Sequence, residues 1–195
     1  SETSQLKTKV EEVLNENRAL LNKQTLFEKT ISDLSLQYES LEQYSKMENI
    51  QINGVPEMKG EKISDVINKL SIAVDEPIVL NMDIQAAHRI PAKNESGIKP
   101  IIVKFSNRQK KEAVLKKAKQ VDLRASDFMD GVPNTKVYCN DHLTGYTKKL
   151  LFEAKKLKTD KKCDYVWVSG CKVYIRKKDG DRAVRINTLK DLDKI

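Results

Sequence analysis

The chain has 195 residues, 39% hydrophobic and only 6% aromatic, which is enough for one or two modest domains beside an extended element and too little for a large enzyme core. Its formal charge of +8 is unevenly placed: residues 1–48 hold 6 Lys or Arg against 9 Asp or Glu, residues 49–143 hold 15 against 12, and residues 144–195 hold 15 against 7. The basic tail favours a polyanion as partner, nucleic acid first, with a charge kept for solubility as the competing reading. Cys139, Cys163 and Cys171 are too few and too scattered for a disulfide framework and fit a reducing compartment. No apolar run approaches the length that crosses a bilayer, so no membrane partner is expected, and a chain starting at Ser1 without Met reads as a fragment.

From the N-terminus, alternating steps of four and three pick out Leu6, Val10, Val13, Asn17, Leu20, Gln24, Phe27, Ile31, Leu34, Tyr38 and Leu41, with Ser45 next and no Pro or Gly inside. This heptad pattern predicts a parallel coiled coil over residues 1–48, a rod about 60 Å long that must find copies of itself to bury its stripe. Asn17 at an a position favours two strands; Leu14 and Leu21 at e positions, with the bulk of Phe27 and Tyr38, widen the seam and allow three.

Past the rod, Ile50, Ile52 and Val55 alternate with Gln51 and Asn53, predicting a strand over 49–55 that ends at Gly54 and Pro56. Ile63, Val66, Ile67, Leu70 and Val74 predict a helix over 61–74; residues 83–90 read as a strand delivering His88 and Arg89, and 92–99 as a loop. Pro100 to Phe105 is the strongest strand signal. Ser106 or Asn107 can cap a helix over 108–119, residues 123–140 are aperiodic, and 136–140 resemble a further strand. Strand, helix, strand, strand, helix, strand over 49–143 is the split βαβ order of a ferredoxin-like, RNA-recognition-like domain. Residues 144–195 read as a small α/β C-terminal domain. Its helix sets Tyr146, Leu150, Leu151, Ala154 and Leu157 against Lys148, Lys149, Lys155, Lys156 and Lys158, and a hairpin and a short strand follow. Val166 and Val168 oppose Tyr165 and Trp167, and Thr188 with Asp191 forms a capping box for a last helix. A unit this small needs the preceding domain against its side. The fold class is α+β.

Nothing catalytic is evident. Only His88 and His142 are present, without HExxH, a metal-spaced cluster, GxxxxGK[ST] or GxSxG, so neither an enzyme nor a cofactor is expected. Binding has more content. Lys104, Arg108, Lys110 and Lys111 belong to a basic run between Lys99 and Lys119; Arg176, Lys177, Lys178, Arg182 and Arg185 cluster about the hairpin among Tyr165, Trp167 and Tyr174. Basic side chains neutralise phosphates and an exposed ring stacks on a base. Trp167 reads equally as a stacking ring or as core. The central strands lack the aromatics of a standard RNA-recognition sheet, so basic loops and the groove between the two small domains are expected to carry the contact.

The run Asn49-Ile50-Gln51-Ile52-Asn53-Gly54-Val55-Pro56-Glu57 after a coiled coil, then Ala87-His88-Arg89-Ile90-Pro91 and Pro100 to Phe105, resembles the first open reading frame proteins of LINE retrotransposons. The tail, Asp164 to Gly170 and Val184 to Leu189, resembles the C-terminal domain shared by the baculovirus few-polyhedra (FP) protein and insect retroelement proteins. The resemblance implies a homotrimer, with a dimer as alternative, that coats single-stranded RNA or DNA without sequence preference. It would act as a nucleic acid chaperone in cytoplasmic, or nuclear, ribonucleoprotein particles. It also implies a basic-loop role for Arg89, a helix-start role for Arg108, Lys110 and Lys111, and a basic position at Lys148 and Lys149, where Lys replaces the family's Arg and keeps charge without the bidentate fork. The few-polyhedra branch implies instead a structural or viral-assembly scaffold working through protein contacts.

Overall fold

A computed structural model describes residues 2–91 and 97–195, so most of the loop expected over 92–99 lies outside the described residues. The chain is mixed α+β, with a long N-terminal helix followed by antiparallel sheets, and forms two compact units, 1–42 and 43–195. The first unit is the body of helix α1 (Glu2–Ser45), in which no residue is buried. The Thr25 and Thr30 hydroxyls bond back to the Leu21 and Leu26 carbonyls at 2.9 Å, and Gln24 donates to Glu28 at 2.9 Å. The heptad residues stand in water, Phe27 at 63% and Leu41 at 70% exposure. Among the described residues, no helix is long and apolar enough to cross a membrane.

The second unit opens with β1 (Asn49–Asn53), α2 (Ile63–Ala73), α3 (Leu80–Asp83), β2 (Ile84–Arg89), β3 (Ile101–Phe105), α4 (Arg108–Ala118) and β4 (Tyr138–Asp141). The strands lie in the order β2-β3-β1-β4, each antiparallel to its neighbour. Because side chains alternate along a strand, Ile50 and Ile52 meet Val103 and Ile101 on one face, where Val66, Ile67 and Leu70 of α2 and Val114 and Leu115 of α4 close the core. Full burial of each such side chain contributes roughly 1.5–3 kcal/mol. The opposite face is polar apart from the buried Ile102 of β3, with Gln51 and Asn53 of β1 beside Asn140 and Tyr138 of β4. Gly54, at φ +95°, ends β1 where any Cβ would lie 2.5 Å from the Lys136 carbonyl oxygen. Asn107 is the cap of α4, accepting from the Gln109 N–H at 2.7 Å. The aperiodic stretch before β4 is core rather than loop: a 3-10 turn at Ala125–Asp127 and a bridge between Arg124 and Lys136 bury Leu123, Phe128 and Met129. The short α3 has no sequence counterpart; Asp83 caps it by accepting from the Val79 N–H at 2.8 Å.

Next come α5 (Gly145–Thr159), β5 (Tyr165–Ser169), β6 (Lys172–Arg176), β7 (Val184–Ile186) and α6 (Leu189–Leu192), with the strands antiparallel in the order β5-β6-β7. Thr144 caps α5, accepting from Thr147 N–H at 3.1 Å. Leu150 and Ala154 of α5 pack on Val173, Ile175 and Ile186. As expected, Asp191 caps α6, its carboxylate accepting from the Thr188 N–H at 2.9 Å.

Three elements meet at a buried ion pair. Lys111 of α4 is wholly inaccessible, and its ammonium donates to the Asp141 carboxylate at the end of β4. The Cys171 Sγ, from the β5–β6 turn, donates to the same carboxylate oxygen at 3.4 Å. Cys171 has φ +60° after Gly170 at +54°, a two-residue hairpin geometry unfavourable to a residue with a Cβ. The thiol's seat against Asp141 accounts for a cysteine there. Burial pushes the Cys171 thiol up to about 12, with Asp141 adding to it, so it stays a donor. Burial alone would lower the Lys111 ammonium; the hydrogen bond and charge of Asp141 outweigh it and hold the group above its ordinary value. Gln43 adds a second tie, its amide donating to the His142 carbonyl and accepting from the Thr144 N–H, both at 3.0 Å.

Replacing Lys111 by Met strands a buried carboxylate and is expected to cost about 3–5 kcal/mol in chemical denaturation, whereas Lys111→Met with Asp141→Leu returns to within ~2 kcal/mol of the parent. Equal losses in the single and double variants would show that packing, not charge pairing, makes the joint.

Candidate nucleic-acid interface

Two of the cations singled out by sequence are internal. Arg89 closes β2 with its side chain only 7% exposed. Its Nε and Nη2 donate to the two Glu61 carboxylate oxygens, Nη1 to the Val55 and Lys99 carbonyls at 3.0 and 2.6 Å, and Nη2 also to the Pro56 carbonyl at 2.9 Å. A guanidinium has five N–H donors and all are engaged, so Arg89 organises the loop after β1 and is removed from the interface. Lys111 is removed for the reason given above. Lys110 is half-buried against Glu76 at 2.6 Å. Arg108 stays partly open, 3.6 Å from Glu48 with its guanidinium 4.8 Å from the Tyr44 ring centre. Lys104 is half-exposed, paired in register with Asn49 on the polar face of the sheet.

A groove of about 420 Å³ runs where that polar face meets the C-terminal elements. Gln51 and Asn53 of β1 and Asn140 of β4 form one side, Lys148, Leu151 and Lys155 of α5 another, and Val166, Trp167 and Val168 of β5 a third, with Lys119, Asp141 and Leu143 completing the lining. Lys148 donates to the Gln51 side-chain Oε1 at 3.4 Å and the Gln51 Nε2 donates to Asn53 Oδ1 at 2.8 Å, a chain that orients both amides. Lys149, one residue on, is exposed. Amides both donate and accept, so this lining offers hydrogen-bond partners of both kinds beside lysine cations. The three amides carry no charge and so stand outside the basic clusters of the sequence. Their signal was positional, since Gln51 and Asn53 alternate with the buried Ile50 and Ile52.

Across β5 lies the outer face of the C-terminal sheet. Val173 and Ile175 point to α5, and the alternate positions carry Tyr165, Trp167, Lys172, Tyr174, Arg176 and Arg185. Trp167 and Tyr174 are cross-strand partners whose rings stack at 5.6 Å between centres and 17° between planes. The Arg176 guanidinium lies 4.3 Å from the Tyr165 ring centre. Trp167 is half-buried and lies outside both hydrophobic cores, so it is not the core residue of the second reading. Lys177, Lys178 and Arg182 are exposed on the β6–β7 connection, where Asp181 accepts from the Lys178 N–H at 3.0 Å.

Residues 144–195, the segment beginning at the cap of α5, match the family model for Baculovirus FP protein domain 2. No curated protein matches the chain. The second domain of the FP protein is thus what the C-terminal quarter is similar to, and it includes α5, the outer sheet face and the basic connection.

The hydrogen bond from Arg89 holds the Glu61 carboxyl below the usual carboxylate range, against the opposing effect of burial. A folded-state value lowered from 4.5 gives stability that is present above that pH and lost as pH falls through the lowered value. Glu61→Gln is therefore expected to destabilise the protein at neutral pH and to flatten the acid limb of a denaturation-midpoint series; an unchanged acid limb contradicts this role.

Proposed function

We propose that the protein is a self-associating, sequence-independent binder of single-stranded RNA, and also of single-stranded DNA, acting as a coat and chaperone in a ribonucleoprotein of the retroelement kind. The observation that carries the reading is the groove, in which lysines, amides and one indole converge on a space the size of a nucleotide. Trp167 stacks on a base; Lys119, Lys148 and Lys155 neutralise the adjoining phosphates; Gln51, Asn53 and Asn140 accept whichever base edge arrives. Neutralising phosphates lowers the repulsion between two strands, which is the physical content of a chaperone activity. The strand order β2-β3-β1-β4, with two helices on one face, supports the ferredoxin-like, RNA-recognition-like reading of residues 49–143. The exposed heptad stripe supports a parallel coiled coil over residues 1–48, a homotrimer ahead of a dimer. Residues 144–195 complete the site as the third domain.

A second reading, implied by the few-polyhedra resemblance of residues 144–195, is a scaffold in viral assembly that works through protein contacts. The two readings separate on nucleic acid alone. Under the first, an oligouridine of roughly 20 nucleotides binds, and Lys148→Gln with Lys155→Gln lowers affinity about tenfold and reduces the slope of log affinity against log salt by about 1.4, two phosphate contacts' worth. Binding by the parent that the double variant leaves untouched displaces the site from the groove.

Self-association is tested separately. By light scattering, the parent is expected at about three times the 22.3 kDa chain mass, and Leu20→Asp with Leu34→Asp at one chain mass with the circular dichroism of the sheets retained. A single-chain mass for the parent itself contradicts the coiled coil.

A further inference from the structure

We infer that the outer face of the C-terminal sheet is a second single-strand contact surface, a stacking platform that continues the nucleic acid path over the β5 edge from the groove. The inference rests on the nucleic-acid reading above and extends it to a surface that shares Trp167 with the groove and otherwise lies outside its lining. A domain this small uses its large side chains for its core, yet the only Trp of the chain lies with Tyr165 and Tyr174 outside both cores, on the face turned away from α5. The three rings are organised rather than scattered. Trp167 and Tyr174 stack nearly parallel, at 17°, across neighbouring strands. Because β5 is an edge strand, no further strand flanks Trp167 on the side away from Tyr174, which leaves room for a base to extend the stack. One register step along, the Arg176 guanidinium already lies over Tyr165 at 4.3 Å, so it offers N–H donors to a phosphate beside a ring. The two rows are two residues apart along the strands, roughly 7 Å, a distance that adjacent nucleotides of an extended single strand span.

Charge selects the occupant. Lys172 stands opposite Ser169 and Arg185 opposite Tyr174, so cations flank the rings on the same face. Among the described residues the acidic contact to this face is Arg176 to Asp179 at 3.2 Å, a surface pair with Asp179 83% exposed, and a phosphate displaces such a pair readily. A second copy of this basic face is repelled, and an acidic polypeptide satisfies the cations but leaves the rings without planar partners. A single strand satisfies both.

Trp167 reports directly, since no other Trp contributes to emission. The full chain is titrated with labelled oligouridine of roughly 30 nucleotides, following anisotropy of the label and Trp emission together, with polyglutamate of matched charge as competitor. The platform predicts that Trp emission is quenched as anisotropy saturates. Lys172→Gln with Arg185→Gln, both outside the groove lining, should weaken binding about tenfold and reduce the salt slope by about 1.4. Tyr174→Leu should diminish the quench, and polyglutamate should compete poorly. Saturating anisotropy with parental affinity in the Lys172/Arg185 variant overturns the platform and leaves the groove standing. Displacement by polyglutamate at matched charge overturns it in favour of an acidic protein partner. No anisotropy change for the parent at low salt overturns the nucleic-acid reading itself, and the platform with it. Saturating anisotropy without a Trp quench in the unsubstituted chain also overturns the platform, so a variant that fails to fold does not remove the test.

Discussion

The ammonium of Lys111, sealed from water and hydrogen-bonded to Asp141, sets the geometry on which the second unit depends. A buried charge cannot be left unpaired without a penalty of several kcal/mol, so α4, β4 and the β5–β6 turn that brings Cys171 to the same carboxylate are held in one arrangement. Asp141 ends β4 only three residues before the capping Thr144, so the same joint fixes where α5 begins. The groove between the polar sheet face and α5 follows from that placement. Its amides and lysines are presented by regular elements on both sides, which is the preorganisation a binding site needs.

Much of this was legible because burial leaves a period in the sequence. Alternation in Ile50 to Asn53 and the helical spacing of Val66, Ile67 and Leu70 gave elements within two residues of those found, Ile63–Ala73 standing where 61–74 was expected. The opposition of Val166 and Val168 to Tyr165 and Trp167 held as well. What could not be read was partnership. Arg89 and Lys111 look like any surface cation until Glu61, 28 residues away, and Asp141, 30 residues away, are placed beside them. The segment around Phe128 failed for a different reason: a 3-10 turn with one bridge buries its side chains without a repeating interval.

The corrected cation set changes the character of the proposed interface. Removing Arg89 and Lys111 shifts its weight from the N-terminal sheet domain toward α5 and the C-terminal sheet, within the segment similar to the FP protein domain. With the amides of β1 and β4, the lysines and flat rings there would offer contacts none of which selects a base; the proposed sequence independence follows from those side-chain types. The exposed stripe of α1 would multiply such modest sites, since copies joined along a seam hold one strand together far more firmly than each does alone.

Amide hydrogen exchange, measured with and without saturating oligouridine at low salt, tests the central claim most directly. The account predicts slowed exchange at β1, the first turns of α5, β5 and β6, with α2 and α3 unchanged on the far side of the sheet. Protection confined to α2 and α3, or none at saturation, would contradict it.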